Sequence, residues 1–571
     1  MGVRGRVALA AGVTVALGTA CVAPGAAPEE RTDRVVARPA SVQPAAGHPG
    51  KARPTTDVVL VLMDDFSWNL LPTLRQAQDM AREGAWYRHS YVVDTLCCVS
   101  RTSLLTGQYP HQTGVLTNTP NTPNDLGPIG GFAAYRDHGN GRRSVNVRLQ
   151  EAGWTTGLIG KFLNKYYEVT YATPPVVPPG WTLFQPFLPT AYDGWDFEMV
   201  HAEDGRTTVE RVAAPPARAT RAQKDAAYAG NVIADLAVDF VREHRDDAAP
   251  YFLVVTPFAP HSRITPEPHY RGDPEFPAAF ADRPAPGRPG NCGPVVCSDL
   301  HAARLPGFGD DQADNVPRRL DGSLAEQWRP ATGDAPDEAT ASSRLRQRAQ
   351  MVQSVDRTLT RLREAVGPDA YVVLTSDNGF HLGHHGLGDG KGTPFVADTR
   401  VPLLVTGPDV VPGPRDEVVS NLDLAPTLEE VAGLRPAGFR AGTSLLPGLR
   451  EPGTDRRRFT FFEHTWAPSL ASDPDRNYAG GTMNLVPSYL AVRSRDALLV
   501  RYDLDPDWER VDHAYEMYDY RDVGWERTDV VADPAHRALR DRLLRRLRAF
   551  DRCMGVTGDD RVPSRCRRLT D

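Results

Sequence analysis

Short, unbroken apolar runs recur along this chain, each ending in charged or polar residues. Val58–Met63 is the first, closed by Asp64 and Asp65. Gly153–Gly160 follows, closed by Lys161, and then Tyr251–Thr256, closed within five residues by His261. Ala370–Thr375 runs into Ser376, Asp377, Asn378 and Gly379, and Val401–Val405 is the fifth. Runs of four to eight apolar residues without alternation predict strands buried on both faces, as in a parallel sheet. Between them lie helical periodicities: 70–82 stopped by Gly84, 144–152, 225–243, one long helix over 342–365, and 423–432. Strand and helix in alternation predict a doubly wound α/β fold, a large mixed, mostly parallel sheet sandwiched by helices.

After residue 436 the pattern changes. Arg458–His464, Tyr489–Arg493 and Ala497–Tyr502 predict a smaller antiparallel sheet. A last helix opens at Asp533-Pro534, with Leu539, Leu543, Leu547 and Phe550 on one stripe. The segments 170–215 and 262–340, rich in Pro and Gly, read as loop and edge strands over a site and as a long surface insertion. The expected organisation is an export signal over 1–27, a linker over 28–55, a catalytic domain over 56–435 and a C-terminal α+β subdomain over 436–571.

The N-terminus supports export. Arg4 and Arg6 precede an apolar run, Val7–Ala20, too short for a comfortable span. Cys21 follows a weak lipobox-like pattern that admits a lipid anchor. Export permits disulfides, and Cys292/Cys297 and Cys553/Cys566 are each close enough in sequence to close a small loop. That leaves Cys97 and Cys98, adjacent and poorly placed to bond each other. A net charge of -7 gives no reason to expect a nucleic-acid partner. Only five of the 65 basic residues are lysines: Lys51, Lys161, Lys165, Lys224 and Lys391. In an arginine-rich chain, a lysine beside a motif marks a place suited to a compact ammonium.

Candidate chemistry gathers at the strand ends, where open α/β sheets bind ligands. Asp64, Asp65 and Asp377, with the amide oxygen of Asn378, offer oxygen ligands of the kind Ca²⁺ or Mg²⁺ takes; turn capping is the plain alternative. Cys97 stands three residues before Ser100, which reads as the cap of a short helix over 101–106 ended by Gly107. A group at 97 then sits beside free N–H donors, with the Arg101 fork nearby, a seat suited to an anion; two buried core thiols are the alternative. Lys161 and Lys391 add positive charge, and His261 can protonate a leaving oxygen. Lys161 and His261 also read plainly as a surface lysine and a turn-capping histidine. His381, His384 and His385 read as bracing residues rather than zinc ligands.

The stretch Cys97-Cys98-Val99-Ser100-Arg101-x-x-x-Leu105-Thr106-Gly107 resembles the sulfatase signature, with Val99 where that signature carries Pro or Ala. Asp64-Asp65, Gly160-Lys161-Phe-Leu-Asn164, Pro260-His261-Ser and Ser376–Gly379 resemble its further motifs. So do Lys391 followed by Val401-Pro402-Leu403, and Tyr515–Asp519. The Cys-Cys, Gly-Lys-x-Leu-Asn and Ala-Pro-His-Ser forms look closest to the N-acetylglucosamine-6-sulfatase branch. Leu163 stands where many arylsulfatases carry histidine, leaving Asn164 and His111 as the nearby side chains. The resemblance implies a fold of the alkaline-phosphatase superfamily and hydrolysis of a sulfated sugar or aryl sulfate. It implies formylglycine made from Cys97 by a formylglycine-generating enzyme, with Ca²⁺, in preference to Mg²⁺, on Asp64, Asp65, residue 97, Asp377 and Asn378. Arg101, Lys161, His261 and Lys391 are then the catalytic side chains. A phosphodiester or phosphonate hydrolase and a non-catalytic binder of sulfated glycans are the competing readings.

Overall fold

The computed structural model describes residues 56–120, 128–170, 175–310, 312–329, 335–466, 486–504 and 512–571. The expected signal, linker and Cys21 lie outside them.

The apolar runs are strands of one ten-stranded sheet. In chain order its strands are β1 Val58–Met63, β2 Ala85–Tyr91, β3 Thr155–Gly160, β4 Leu183–Pro186, β5 Phe197–Glu203, β6 Arg206–Val212, β7 Tyr251–Thr256, β8 Tyr371–Ser376, β9 Leu403–Thr406 and β10 Gly413–Ser420. Their spatial order is β10-β2-β9-β8-β1-β7-β3-β4-β5-β6. The central five, β8-β1-β7-β3-β4, are parallel. In β1, Val59, Val61 and Met63 pack with Ile233, Val238, Leu359 and Leu362 from helices on one face. Val58, Leu60 and Leu62 pack on the other with Val99, Leu104, Leu149 and Leu428. Both faces are covered, so an alternating strand would expose polar groups to apolar cores; the unbroken apolar run avoids this.

β11 Phe459–His464, β12 Ser488–Ser494, β13 Ala497–Asp503 and β14 His513–Asp519 form the second, antiparallel sheet. The helix Arg537–Asp551 lays Leu543, Leu547 and Phe550 against its Phe461, Val492 and Leu499. The sheets meet where the Glu463 N–H donates to Val93 O at 2.9 Å, on the segment leading from β2 to Cys97.

Four expectations change. The helix expected over 342–365 is two, Glu338–Met351 and Gln353–Ala365, with Val352 between them. The segment over 262–340 is not merely a surface insertion: Phe276, Ala278 and Cys292 enter the core, and Arg329 is buried. β2 and β10 join the main sheet although neither carries an apolar run. β4, β5 and β6 of the 170–215 region extend that sheet rather than roofing it.

Candidate active site

The parallel strands deliver their carboxyl ends to one edge. Met63 pairs with Ser376, so Asp64-Asp65 and Asp377-Asn378 leave adjacent strands at the same level. Gly160 pairs with Thr256, which brings Lys161 in from the next strands. A Cβ on Gly160 would lie 2.2 Å from Thr256 O, and its φ is 112°, so glycine is required where the chain turns to present Lys161. Beyond β7 the chain turns through the cis Ala259-Pro260 bond to His261.

Cys97 opens a ten-residue helix, Cys97–Thr106, whose αL cap is Gly107. The expected cap at Ser100 is corrected here: the Ser100 N–H already bonds Leu96 O at 2.8 Å, within the first turn. Its hydroxyl instead donates to Asp377 O. The earlier start places residue 97 itself at the positive N-terminal end of the helix, where the Cys98 N–H is already taken by Asn118 Oδ1 at 2.9 Å.

All the expected site residues converge except that His261 stands at the margin. One ligand atom each from Asp64, Asp65, Cys97 and Asp377 fall within 4.8 Å of one another, all buried. Lys161 Nζ grips Asp64 at 2.7 and 2.8 Å. Arg101 Nε donates to Asp377 Oδ2 at 2.8 Å and Nη1 to Lys161 O at 2.9 Å, while Nη2 stands 3.6 Å from Asp64. Lys391 Nζ lies 2.6 Å from Asp65 Oδ1 and 2.8 Å from Cys97 Sγ. Cys97 Sγ is 3.5 Å from Asp64 Oδ1 and 3.8 Å from Asp65 Oδ1. His261 Nε2 is 3.7 Å from Asp65 Oδ2, and its Nδ1 lies 2.7 Å from Ser262 O. A carbonyl only accepts, so Nδ1 carries the proton of that bond and Nε2 is the working nitrogen.

Three carboxylates thus face three fixed cations, buried where bulk solvent screens them little. Burial pushes Asp64 up to about 6 against the opposing pull of Lys161. Burial also works to raise Asp377, but Arg101, Lys161 and Lys391 outweigh it and hold its carboxyl well below the usual range. Arg101 and Lys161 are held above their ordinary values against the pull of burial, by Asp377 and Asp64 respectively. Burial pushes the neighbouring Cys98 thiol up to about 12, and its side chain belongs to the apolar core.

The donor set fits a hard cation. Asn378 Nδ2 donates to Asp65 Oδ1 at 2.6 Å, yet its Oδ1 is buried without a hydrogen-bond partner. An orphaned amide oxygen beside three convergent carboxylates suits an oxygen-coordinated ion. Asp65 adopts φ 59°, rare for a residue with a side chain. Its N–H donates to Asp377 Oδ1 at 3.1 Å, and its C=O accepts from Arg348 Nη2 at 2.5 Å.

Sequence reasoning missed Arg348, Ser100 as a link to Asp377, and Tyr192. The Tyr192 ring lies 4.4 Å from the His261 ring, and Lys161 Nζ stands 5.2 Å above it. None has a local motif; only the tertiary fold brings them in. The two disulfides expected as options are formed, Cys292–Cys297 and Cys553–Cys566, and neither Cys97 nor Cys98 is in a disulfide. His381 bonds Asp398 at 2.8 Å, and His385 stands 3.4 Å from Glu526. His384 Nδ1 accepts from the Leu382 N–H, so the trio braces the fold around Lys391 as expected. His111 bonds Glu463 at 2.6 Å and stacks on Tyr109, at the meeting of the two sheets.

A mixed α/β sheet with an acidic, cation-lined pocket at its carboxyl edge and a thiol at a helix start defines a class of ester hydrolase scaffold. Within that class this chain belongs to the sulfatase family, whose model matches residues 56–434. It is 27% identical over 413 residues to the human N-acetylglucosamine-6-sulfatase, covering 70% of this chain and 65% of that protein. It is 28% identical over 407 residues to the extracellular sulfatase SULF-1 homolog of Drosophila melanogaster, covering 69% and 31%. Against the N-acetylglucosamine-6-O-sulfatase of Bacteroides thetaiotaomicron it is 24% identical over 517 residues, covering 82% and 79%. The match thus spans only about a third of the fly protein and about two thirds of the human one. A solved structure holding its substrate D-glucosamine-2-N,6-O-disulfate shares the fold with a TM-score of 0.59 at 20% identity, over 89% of this chain and 99% of that one. The phosphonate monoester hydrolase of Silicibacter pomeroyi shares it with a TM-score of 0.54 at 17% identity, over 88% and 96%.

Proposed function

We propose that this chain is an exported sulfuric ester hydrolase that removes sulfate from a sulfated sugar, N-acetylglucosamine 6-sulfate being the first substrate to try. The carrying observation is the seat of residue 97: first in its helix, 2.8 Å from Lys391, and beside the Asp64, Asp65 and Asp377 carboxylates. Conversion of Cys97 to formylglycine supplies a nucleophilic hydrate where the thiol now stands. Ca²⁺, in preference to Mg²⁺, supplies Lewis-acid charge when held by Asp64, Asp65, Asp377 and Asn378.

The chain's own residues do the rest. Arg101, Lys161 and Lys391 offset the charge that grows on the sulfuryl oxygens as the S–O ester bond breaks. They are held in place by ion pairs made before substrate arrives, so little reorganisation accompanies the reaction. His261, protonated on both nitrogens before the step, gives its Nε2 proton to the departing alkoxide and keeps its Nδ1 proton in the bond to Ser262 O that fixes the ring. The positive end of the helix dipole favours an anion at residue 97.

Export rests on the charged and apolar N-terminus, the relatives named extracellular, and two disulfides of a kind favoured outside the cytosol. No helix among the described residues is long and apolar enough to cross a membrane. We divide the chain into a catalytic domain over 56–435 and a supporting subdomain over 436–571.

Peptide mass spectrometry across residue 97 of protein from its native host tests this reading, together with turnover of paired sulfate, phosphate and phosphonate esters. An aldehyde at 97 with preference for sulfate supports it. Preference for phosphonate moves the chain to the activity of its Silicibacter neighbour, which has the same fold. A plain thiol with no turnover leaves a glycan-binding protein.

A further inference from the structure

One buried guanidinium gathers three of the segments that build the site. Arg348 stands in the last turn of the helix Glu338–Met351 and is fully buried. Its Nη2 donates to Asp65 O at 2.5 Å and to Ser67 Oγ at 3.1 Å, and Nη1 stands 3.5 Å from Pro260 O. Its Cζ lies 4.3 Å from the centre of the Phe380 ring. These neighbours follow three different strands. Asp65 and Ser67 leave β1, Pro260 leaves β7 and precedes His261, and Phe380 leaves β8 two residues after Asn378. The segments that carry the proposed metal ligands and the proposed general acid thus meet on one side chain.

Packing alone does not call for a guanidinium here. Arg344, one turn earlier and half-buried, is paired with Glu275 and Asp389 at 2.7 and 2.6 Å. The oxygen partners of Arg348 are two carbonyls and a hydroxyl, and its buried Nε has no hydrogen-bond partner. An apolar side chain would fill such a place without the penalty of burying a charge. What only a guanidinium supplies is a flat fork that serves several oxygens at once. The oxygen in need of it belongs to Asp65, whose φ of 59° an aspartate keeps only where its surroundings hold it. The Asp65 N–H is fixed by Asp377 Oδ1 at 3.1 Å, and its C=O by Arg348. With both ends of the residue fixed, its carboxylate is aimed at Lys391 and Cys97. Without Arg348 this carbonyl loses its donor, and the turn is free to carry the carboxylate out of place.

We propose that Arg348 is a positioning residue for the reaction, fixing the Asp65 turn against the Pro260-His261 segment so that the metal-binding carboxylate and the general acid keep one spacing. It acts through these two residues. The inference rests on the sulfatase reading above.

The test compares wild type with Arg348→Met, Arg348→Lys and Val355→Ala. The last opens a cavity in the core at the next helix and controls for lost stability alone. Each protein is stripped of metal and titrated with Ca²⁺ by calorimetry. The metal-free thermal midpoint is measured beside kcat and KM for N-acetylglucosamine 6-sulfate, with kcat scaled to the aldehyde content at residue 97. Arg348→Met should weaken Ca²⁺ binding and lower kcat by about 10–100-fold each, the usual loss on removing an outer partner of a metal ligand. KM should hold, since Arg101 and Lys161 are untouched. Arg348→Lys should recover part of both losses, because its ammonium can reach Asp65 O but lacks the fork. Val355→Ala should lower the midpoint and leave Ca²⁺ binding and kcat as they are. Wild-type Ca²⁺ affinity and kcat in Arg348→Met, whatever its midpoint, overturn the proposal and leave the sulfatase reading standing. So does a fall in Ca²⁺ affinity that Val355→Ala matches, since lost stability then accounts for it. Should Arg348→Met not fold, Arg348→Lys decides: a loss in both quantities supports the proposal, and wild-type values overturn it. A wild-type protein that carries the aldehyde but neither binds Ca²⁺ nor hydrolyses the ester overturns both.

Discussion

Lys391 links the expected nucleophile position to the expected metal site with one ammonium, lying 2.8 Å from Cys97 Sγ and 2.6 Å from Asp65 Oδ1. A guanidinium could not replace it, because its planar fork needs separated acceptors where this site presents two close ones. Lys391→Met should therefore lower kcat by about 10²–10³, the scale of losing one preorganised donor. It should also destabilise the fold by about 3–5 kcal/mol, because it leaves Asp65 buried without its cation. Steady-state kinetics and urea unfolding check the two halves separately. A Met variant with near-normal kcat would remove Lys391 from the reaction.

Arg101 makes three directed contacts: with Asp377, with Lys161 O and, at longer range, with Asp64. A lysine at this place can reach only one of them. Arg101→Lys should cut kcat/KM by about 10²-fold or more while charge at the site is kept, since fork geometry rather than charge is lost. Turnover within a factor of two or three of wild type would show that charge alone suffices.

Much of this site could be read before the fold. Asp64, Asp65, Lys161, Asp377 and Asn378 each follow an apolar run, and a buried parallel strand can end only where the chain meets polar groups again. The run marks the strand, and its end marks the edge. What could not be read lacks that local contrast. β2, Ala85–Tyr91, mixes apolar and polar residues because it pairs with β10 and β9 toward one margin of the sheet, where burial is uneven. Arg348 reaches Asp65 O from the last turn of a helix whose sequence gives no sign of it. The start of the Cys97 helix was misread for a different reason. Ser100 is a good cap by type, but its N–H already bonds Leu96 O inside the first turn, which leaves its hydroxyl to donate to the buried Asp377 O.

Metal dependence follows from the orphaned Asn378 Oδ1 and its three carboxylate neighbours. Chelation should abolish most activity, and added Ca²⁺ should restore more of it than Mg²⁺. Ca²⁺ at 100 times its dissociation constant should raise stability by about 2.7 kcal/mol, seen as a higher thermal midpoint. Asn378→Leu should lose most of that shift. A midpoint indifferent to both ions would separate these residues from metal binding.

Stability should also vary with pH at a place far from catalysis. Burial, then the neighbouring Glu516, pushes Asp529 up to about 7 from an ordinary 3.8. The folded state thus binds this proton more tightly than the unfolded chain. The stability so gained is fully present below the unfolded value and is lost as pH rises through about 7. Asp529→Asn keeps an oxygen for the Met517 and Val531 N–H groups that Oδ1 now serves. The variant should unfold at higher urea than wild type at pH 8, with the gap narrowing or reversing at pH 4. Equal midpoints at both pH values would rule out the buried charge as a cost.

Val99 offers the last test, because the fold and the modification make separate demands on it. It is the third residue of its helix and fully buried, packing in the core with Leu104 and Leu105. The first bond within that helix is made by the Ser100 N–H, to Leu96 O. The N–H of residue 99 therefore precedes the ladder, and proline there removes no bond of it. Val99→Pro restores the form that the signature usually carries, at the cost of some apolar packing. The folded protein should tolerate it, with a loss of about 1–2 kcal/mol for the changed core shape. On the reading proposed above, Cys97 is converted before the chain folds, when no such packing exists. Mass spectrometry of residue 97 should show equal or higher aldehyde content in the Pro variant, and specific activity should rise in proportion. Aldehyde content that falls in a stably folded Pro variant would mean that valine at 99 is what the converting enzyme prefers in this chain.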